Sequence, residues 1–287
     1  MATRPTLPYF APADSLPAPL PTVAEILAVI PRPKPKRNVV QFGEHFVIKF
    51  GQRVRLQEGE NMLFVRQSTR VPVPTVYALF HDEESGNNFI IQEYIAGSNL
   101  YTYWRGLDQS GKEAIASQLR QHLDELRSLP SPGYFGGVWR QPIRCFYFTG
   151  TWDRDDEPPA LACDTEEQWV DELTRRAHAA GNHNKDLDLW KERMLRLVLR
   201  GHSPVFTHGD LDRTNIRVRS DGTVVFIDWE RSGWYPSCWE YCLATHVDGC
   251  TDDWHHFLPR LFEQEWPGEV AWMLILRDWL MFGHFYI

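Results

Sequence analysis

The stretch His208-Gly209-Asp210-Leu211-Asp212-Arg213-Thr214-Asn215, followed by Val224-Val225-Phe226-Ile227-Asp228-Trp229, constrains this chain more than any other part of it. Asp221-Gly222 stands between two apolar-containing runs, Ile216–Arg219 and Thr223–Ile227, and is a strong turn signal, so the region predicts a β-hairpin. A two-residue loop at Asp221-Gly222 sets the register: Val218 opposes Val225, Ile216 opposes Ile227, and Asn215 falls opposite Asp228. Directly opposed residues project from one sheet face with Cβ atoms about 5 Å apart. An amide oxygen and a carboxylate so placed can share one hard divalent cation, and Mg2+ prefers a few protein oxygens beside substrate phosphates. Asp210, on the loop entering the hairpin, is positioned to accept the proton of an attacking hydroxyl. Such a set is laid out for phosphoryl transfer.

On H-G-D-x-x-x-x-N from His208 to Asn215, the Ile227-Asp228-Trp229 segment and Arg231-Ser232-Gly233, the chain resembles the aminoglycoside phosphotransferase-like small-molecule kinases. Trp229-Glu230 and Tyr235-Pro236-Ser237-Cys238-Trp239-Glu240 make it look most like the fungal members of that family. The resemblance implies an α+β, two-lobed protein-kinase-like fold, with a small antiparallel-sheet N-lobe and a larger, mainly helical C-lobe. It assigns Asp210 as catalytic base, Asn215 and Asp228 as magnesium ligands, and His208 as a support of the loop. ATP and Mg2+ are the implied cofactors, and a hydroxyl group of a small molecule is the implied acceptor. Two alternatives stay open: a catalytically silent nucleotide-binding or interaction protein, and a kinase fold repurposed for another biosynthetic reaction.

Three segments follow from the pattern. Residues 1–37 read as a proline-rich arm with a short helix at Thr22–Ile30 and a solvated basic linker at Lys34, Lys36 and Arg37. Residues 38–97 read as the nucleotide-binding sheet and helix. In them, Asn38–Phe42 and His45–Phe50 form a hairpin turning at Gly43-Glu44, with Phe46, Ile48 and Phe50 on one face and Lys49 on the other. A helix over Leu56–Gln67 carries Leu56, Leu63 and Phe64 as an apolar stripe, and Glu60 lies inside it while Glu58 faces nearly the opposite way. An acid on a buried face costs several kcal/mol unless paired, which points to Lys49 as the partner of Glu60. The resemblance agrees, since such kinases pair a strand lysine with a helix glutamate and set the lysine on the nucleotide phosphates. No G-x-G-x-x-G loop precedes Lys49, so nothing beyond Phe42–His45 is named as a phosphate loop. Asn88–Tyr94 reads as a central strand. Ile95-Ala96-Gly97 resembles the linker between lobes, where backbone groups near Glu93 and Ile95 are expected to bind the adenine edge.

Residues 98–287 read as the helical, acceptor-binding part. Ser110-Gly111-Lys112-Glu113 is a capping box opening a helix striped by Ile115, Leu119, Leu123 and Leu126. Two more helices are expected at Thr165–Ala180 and Leu187–Arg200, with an aromatic stretch from Tyr134 to Pro159 before them that carries Trp139, Phe146, Tyr147, Phe148 and Trp152. Twelve tryptophans allow an aromatic-lined pocket, although core packing accounts for most of them. Asp248, Asp252 and Asp253 occupy the region where aminoglycoside-type enzymes hold cationic acceptors, and solvated loop acids are the simpler reading. Glu240 resembles the acid that braces the family's catalytic loop. The few residues between Asp228 and Trp239 leave no room for a long activation segment, which predicts constitutive activity.

Composition excludes some classes. A formal charge of −8 disfavours a nucleic-acid partner and mildly favours a cationic or neutral acceptor. Five cysteines, odd in number and scattered, argue against a disulfide framework, and Cys238, Cys242 and His246 lack a fourth zinc ligand. No apolar run is long enough to span a bilayer, and the expected location is the cytoplasm.

Overall fold

The computed structural model describes residues 2–29, 38–149, 159–179, 185–247 and 252–282. In chain order its strands are β1 (Tyr9–Phe10), β2 (Asn38–Phe42), β3 (Phe46–Gly51), β4 (Val76–Asp82), β5 (Asn87–Glu93), β6 (Ser98–Asn99), β7 (Pro204–Thr207), β8 (Ile216–Val218), β9 (Val224–Phe226) and β10 (Gly233–Pro236). The helices are α1 (Val23–Ala28), α2 (Gln57–Ser68), α3 (Leu100–Trp104), α4 (Gln109–Arg127), α5 (Phe146–Thr149), α6 (Glu166–Ala179), α7 (Lys185–Val198), α8 (Trp239–Val247), α9 (Trp254–Phe257) and α10 (Pro267–Phe282). They gather into two units, 1–103 with 216–230, and 104–215 with 231–287. The hairpin after Asn215 therefore groups with the N-terminal unit and not with the helical one.

The smaller unit is built on an antiparallel sheet in the order β1-β4-β5-β3-β2. Alternation turns Phe46, Ile48 and Phe50 of β3 and Phe89 and Ile91 of β5 to one face, where Ile26 of α1 packs on them. Phe89 is the centre of an aromatic stack, with ring centroids 5.6 Å from Phe50 and 5.0 Å from Phe80. Each such fully buried side chain contributes about 1.5–3 kcal/mol relative to exposure. Leu16, Leu20 and Val23 cover the same face. The segment expected to be an arm is thus part of the core, and β1 extends the sheet by pairing Tyr9 with Leu79. Thr22 opens α1 with a capping box, its hydroxyl accepting from the Glu25 N–H and its own N–H donating to the Glu25 carboxylate at 2.8 Å. The basic cluster Lys34, Lys36 and Arg37 lies outside the described residues.

The second sheet of this unit runs β6-β8-β9. Its register corrects the expectation: Ile216 pairs with Phe226 and Val218 with Val224, one residue away from the predicted partners. The loop is longer than assumed. Gly222 donates to the Arg219 carbonyl at 2.9 Å and stands at φ +83°, while the Arg219 N–H donates to Thr223 at 2.9 Å. This is a three-residue turn whose left-handed position needs glycine, the alternative that Asp-Gly serves equally well. The direct opposition of Asn215 and Asp228 lapses with the predicted register.

In the larger unit α4 buries Ile115, Leu119, Leu123 and Leu126 as the stripe predicts. Its cap is Asp108, whose side chain accepts from the Gly111 N–H at 2.8 Å, and not Ser110. α6 and α7 fall where expected. β7 and β10 form a two-stranded antiparallel ladder, Thr207 opposite Gly233. Behind it Trp169, Tyr235, Trp239 and Phe148 form a buried cluster with Trp169 at its centre, 5.2 Å from both Tyr235 and Trp239 and 4.4 Å from Phe148. These aromatics are core. Trp152 and Cys250 lie outside the described residues, and Cys145, Cys163, Cys238 and Cys242 are buried thiols not joined in disulfides. Among the described residues no helix is long and apolar enough to cross a membrane.

Candidate functional site

Two constellations carry the predicted residues, one in each unit. In the smaller unit Lys49 rises from β3 on the face opposite the aromatic stack, 14% exposed. Its ammonium lies 2.5 Å from Glu58 and 3.0 Å from Asp228. Glu58, not Glu60, is the partner. α2 is buried nearly all round, from Gln57 to Leu63, so helical periodicity does not distinguish the two acids. Glu60 is instead held by Arg4, 2.8 Å away and 56 residues upstream, in a segment the sequence reading treated as a loose arm. Although burial works against it, Lys49 is kept above the ordinary lysine range by Glu58 and Asp228. Burial pushes the Glu58 carboxyl up to about 7, with Lys49 opposing.

Asp228 follows β9 at φ +67°, a left-handed conformation that aspartate tolerates at some cost and that recurs where a side chain must be aimed. Oxygens of Asp228, Glu58 and Glu230 lie within 4.8 Å of one another. Three carboxylates beside one lysine leave negative charge in excess, so this donor set fits a hard divalent cation. Glu230 was missed by sequence reading, although it follows Asp228 by two positions. On the same side of the sheet as Lys49 lies Gln92, since Val47 pairs with Gln92 and Lys49 with Ile90. Gln92 is buried, and its amide oxygen has no hydrogen-bond partner among the described residues.

The linker residues are clamped by the hairpin. Glu93 spends its side chain on Arg219 at 2.6 Å and on the Thr75 hydroxyl at 3.1 Å, and its N–H on the Thr75 carbonyl at 2.8 Å. The Ile95 carbonyl accepts from the Arg217 guanidinium at 3.2 Å, which also bonds the Gly97 carbonyl.

In the larger unit the loop after β7 is fixed from beneath. The buried Glu240 carboxylate, on the first turn of α8, accepts the N–H of His208 at 2.5 Å and of Gly209 at 3.1 Å. Burial raises this carboxyl to about 7 against the two N–H groups, which favour its charged form. His208 is wholly buried, and its Nδ1 accepts from the Asp210 N–H at 3.3 Å. Gly209 stands at φ +82°, where any Cβ would drive into the Arg231 carbonyl. These contacts present the Asp210 carboxylate, 23% exposed. Asn215 donates its amide to the Asp210 carbonyl and carboxylate, both at 3.0 Å, which turns its amide oxygen the other way. Arg231 reaches the other carboxylate oxygen at 3.1 Å, a contact that sequence reading did not foresee.

Asp252 and Asp253 each pair with a cation, Asp252 at 18% and Asp253 at 38% exposure. Asp252 pairs with Arg213 at 2.8 Å, and Asp253 with Lys112 at 2.8 Å and the Trp104 indole at 2.9 Å. Asp248 lies outside the described residues.

A braced loop offering one aspartate, and a buried lysine between two acids, are parts expected of a phosphoryl-transfer enzyme. The model of the APH phosphotransferase enzyme family matches residues 37–273. The chain belongs to this phosphotransferase family. No curated protein matches it in sequence. Among solved structures it is similar to the streptomycin-ATP-APH(2")-IIa ternary complex, at 15% identity, TM-score 0.54, over 91% of this chain and 89% of that one. The GDP complex of aminoglycoside 2'-phosphotransferase-IIIa gives 12% identity and TM-score 0.57 over 85% and 79%. Choline kinase LicA from Streptococcus pneumoniae gives 13% identity and TM-score 0.51 over 88% and 81%. Such likenesses fix the fold of this family member as the two-lobed, α+β protein-kinase-like one.

Proposed function

We propose that this protein transfers the terminal phosphoryl group of ATP, with magnesium, to a hydroxyl group of a small molecule. The observation that carries the reading is the Asp210 carboxylate, oriented by Arg231 and Asn215 on a loop whose amides Glu240 ties down. A carboxylate has about four lone-pair sites, so Asp210, held by Arg231 and Asn215, can still accept from the acceptor hydroxyl. In the reaction Asp210 takes the proton of the acceptor hydroxyl as its oxygen bonds the terminal phosphorus. The bond from that phosphorus to the bridging oxygen breaks, and nucleoside diphosphate leaves.

Lys49, kept cationic and oriented by Glu58, neutralises the nucleotide phosphates. Asp228 and Asn215 would supply oxygens to hold magnesium, with Glu230 beside Asp228, and an ion held there would compensate phosphate charge. Asn215 retains this role because its amide nitrogen is spent on Asp210, which leaves its oxygen for a cation. Backbone groups at Glu93 and Ile95 hold the base, other than the Glu93 N–H and the Ile95 carbonyl that Thr75 and Arg217 occupy, and His208 acts by holding the Asp210 backbone. Catalysis is then positioning and charge compensation.

Nucleotide turnover over a panel of hydroxylated small molecules tests the reading, with a phosphorylated product identified by mass. Asp210→Ala lowers turnover by at least about a hundredfold if Asp210 is the base. Turnover that survives the change removes Asp210 from the role.

A further inference from the structure

Arg127 ends α4 half-buried and makes no ion pair among the described residues. Its guanidinium donates to the Ser237 carbonyl at 2.9 Å and lies 5.6 Å from the Trp266 ring centroid. The other terminal nitrogen is buried without a hydrogen-bond partner. A charge drawn out of water in this way is costly unless another charge compensates it. Burial pulls the guanidinium below the ordinary arginine range, and Glu240 is foremost among the groups that oppose this, ahead of Asp124, Cys238 and Glu263. Asp124 and Glu263 are exposed, so water screens their pull, and Cys238 is itself hydrogen-bonded to His202. Ser237 precedes Glu240 on the turn into α8, so the bond from Arg127 also ties the end of α4 to the helix that carries the loop brace.

Glu240 needs a cation nearby. Asp210 of the loop, the Tyr235 phenol of β10 and Arg127 of α4 act on its buried carboxylate. Asp210 brings like charge, and the Tyr235 hydroxyl donates to the Arg231 carbonyl at 2.7 Å, which leaves Arg127 as the positive member of the three. Ionised, Glu240 accepts the N–H groups of both His208 and Gly209. Protonated, it turns an O–H toward one of these donors, and that amide loses its acceptor. We infer that Arg127 is a positioning residue of the phosphotransfer reaction, its guanidinium keeping the Glu240 carboxylate ionised beneath the loop that presents Asp210. The inference rests on the phosphotransferase reading and deepens it, since Arg127 acts through Glu240 and not on the substrate.

The pH titration of the Gly209 amide resonance reads Glu240 directly, because that N–H is bonded to its carboxylate. The wild-type amide is expected to shift with a midpoint near pH 7, where burial has pushed the carboxyl to about 7. Arg127→Gln, which keeps a donor for Ser237 but drops the charge, raises this midpoint by at least about one pH unit, whereas Arg127→Lys leaves it within about 0.3. The acid limb of Mg-ATP turnover moves by the same amount, and adding Arg127→Gln to Glu240→Gln moves no limb. A role in folding alone would lower turnover evenly across pH. Arg127→Met stands in if Arg127→Gln fails to fold. A charge-free variant whose midpoint stays within about 0.3 of wild type, or a lysine variant that moves as far, overturns the inference. So does a wild-type Gly209 amide that shows no titration between about pH 5 and 9. Turnover absent from the wild type at every pH defeats the parent reading instead, and the amide titration then still decides whether Arg127 governs Glu240.

Discussion

Glu240 accepts the backbone N–H of His208 at 2.5 Å, across 32 residues of chain. The bond is buried, and the same carboxylate takes the Gly209 N–H as well. Replacing Glu240 by glutamine keeps the shape but turns one acceptor into a donor facing an amide donor. Each buried N–H left without a partner costs about 1–3 kcal/mol. Glu240→Gln is expected to lower kcat at least about tenfold with little change in nucleotide KM, read by steady-state kinetics. The pH dependence has a definite sign. The Glu240 carboxyl titrates at about 7 when folded and at 4.5 ordinarily, so the folded state binds more protons between these values and loses stability as pH rises from 4.5 through 7. Thermal melts of Glu240→Gln between pH 4.5 and 7 should be flatter than those of wild type.

Lys49 is oriented by Glu58 and Asp228, whereas Glu60 is occupied by Arg4. Glu58→Gln is therefore expected to raise the KM for Mg-ATP at least about tenfold, and Glu60→Gln to leave it within about twofold. Equal effects of the two changes would remove Glu58 from the nucleotide site. Both variants lose some stability, because each leaves a buried or half-buried cation less well paired.

Gln92 buries an amide oxygen without a partner on the side of the sheet that carries Lys49. An amide there can accept from the amino group of adenine or turn to donate to the oxo group of guanine. Gln92→Leu is expected to raise the KM for ATP about fivefold, the worth of one neutral hydrogen bond near 1 kcal/mol. An unchanged KM for ATP in this variant would show that Gln92 does not meet the base.

His202 lies 2.7 Å from Glu166 at the start of α6 and 3.3 Å from Glu269 in the first turn of α10, so it ties two helices together. Hydrogen bonding with Cys238, then with Glu166, raises the imidazole to about 10 from an ordinary 6.5. A raised histidine stabilises the fold fully below pH 6.5, and that contribution is lost as pH climbs through about 10. The melting temperature of wild type should fall between pH 7 and 10.5 by more than that of His202→Gln.

Much of this was legible from local pattern. The stripe of α4 and the hairpin of β2 and β3 rest on short-range periodicity, which sequence displays directly, whereas the capping box read at Ser110 gave way to a cap by Asp108 two residues earlier. The Glu240 brace came from the resemblance. What failed depended on geometry that several sequences share. Asp221-Gly222 serves two-residue and three-residue turns alike, and a single extra loop residue shifted the register that had set Asn215 against Asp228. Glu58 and Glu60 could not be told apart on a helix buried on all sides. Arg4 and Arg231 reach their acids from other parts of the chain, with no local signal to mark them.

The match to the family begins at residue 37, yet Arg4, the Tyr9–Phe10 strand and Ile26 all lie before it. An expression boundary drawn at the edge of the match would strip the greasy side of the nucleotide sheet, unseat Glu60 and bare the outer rung of β4. Bare edges of this kind recruit other chains. A clone trimmed to the recognisable kinase segment should precipitate, and its inactivity would say nothing about the chemistry.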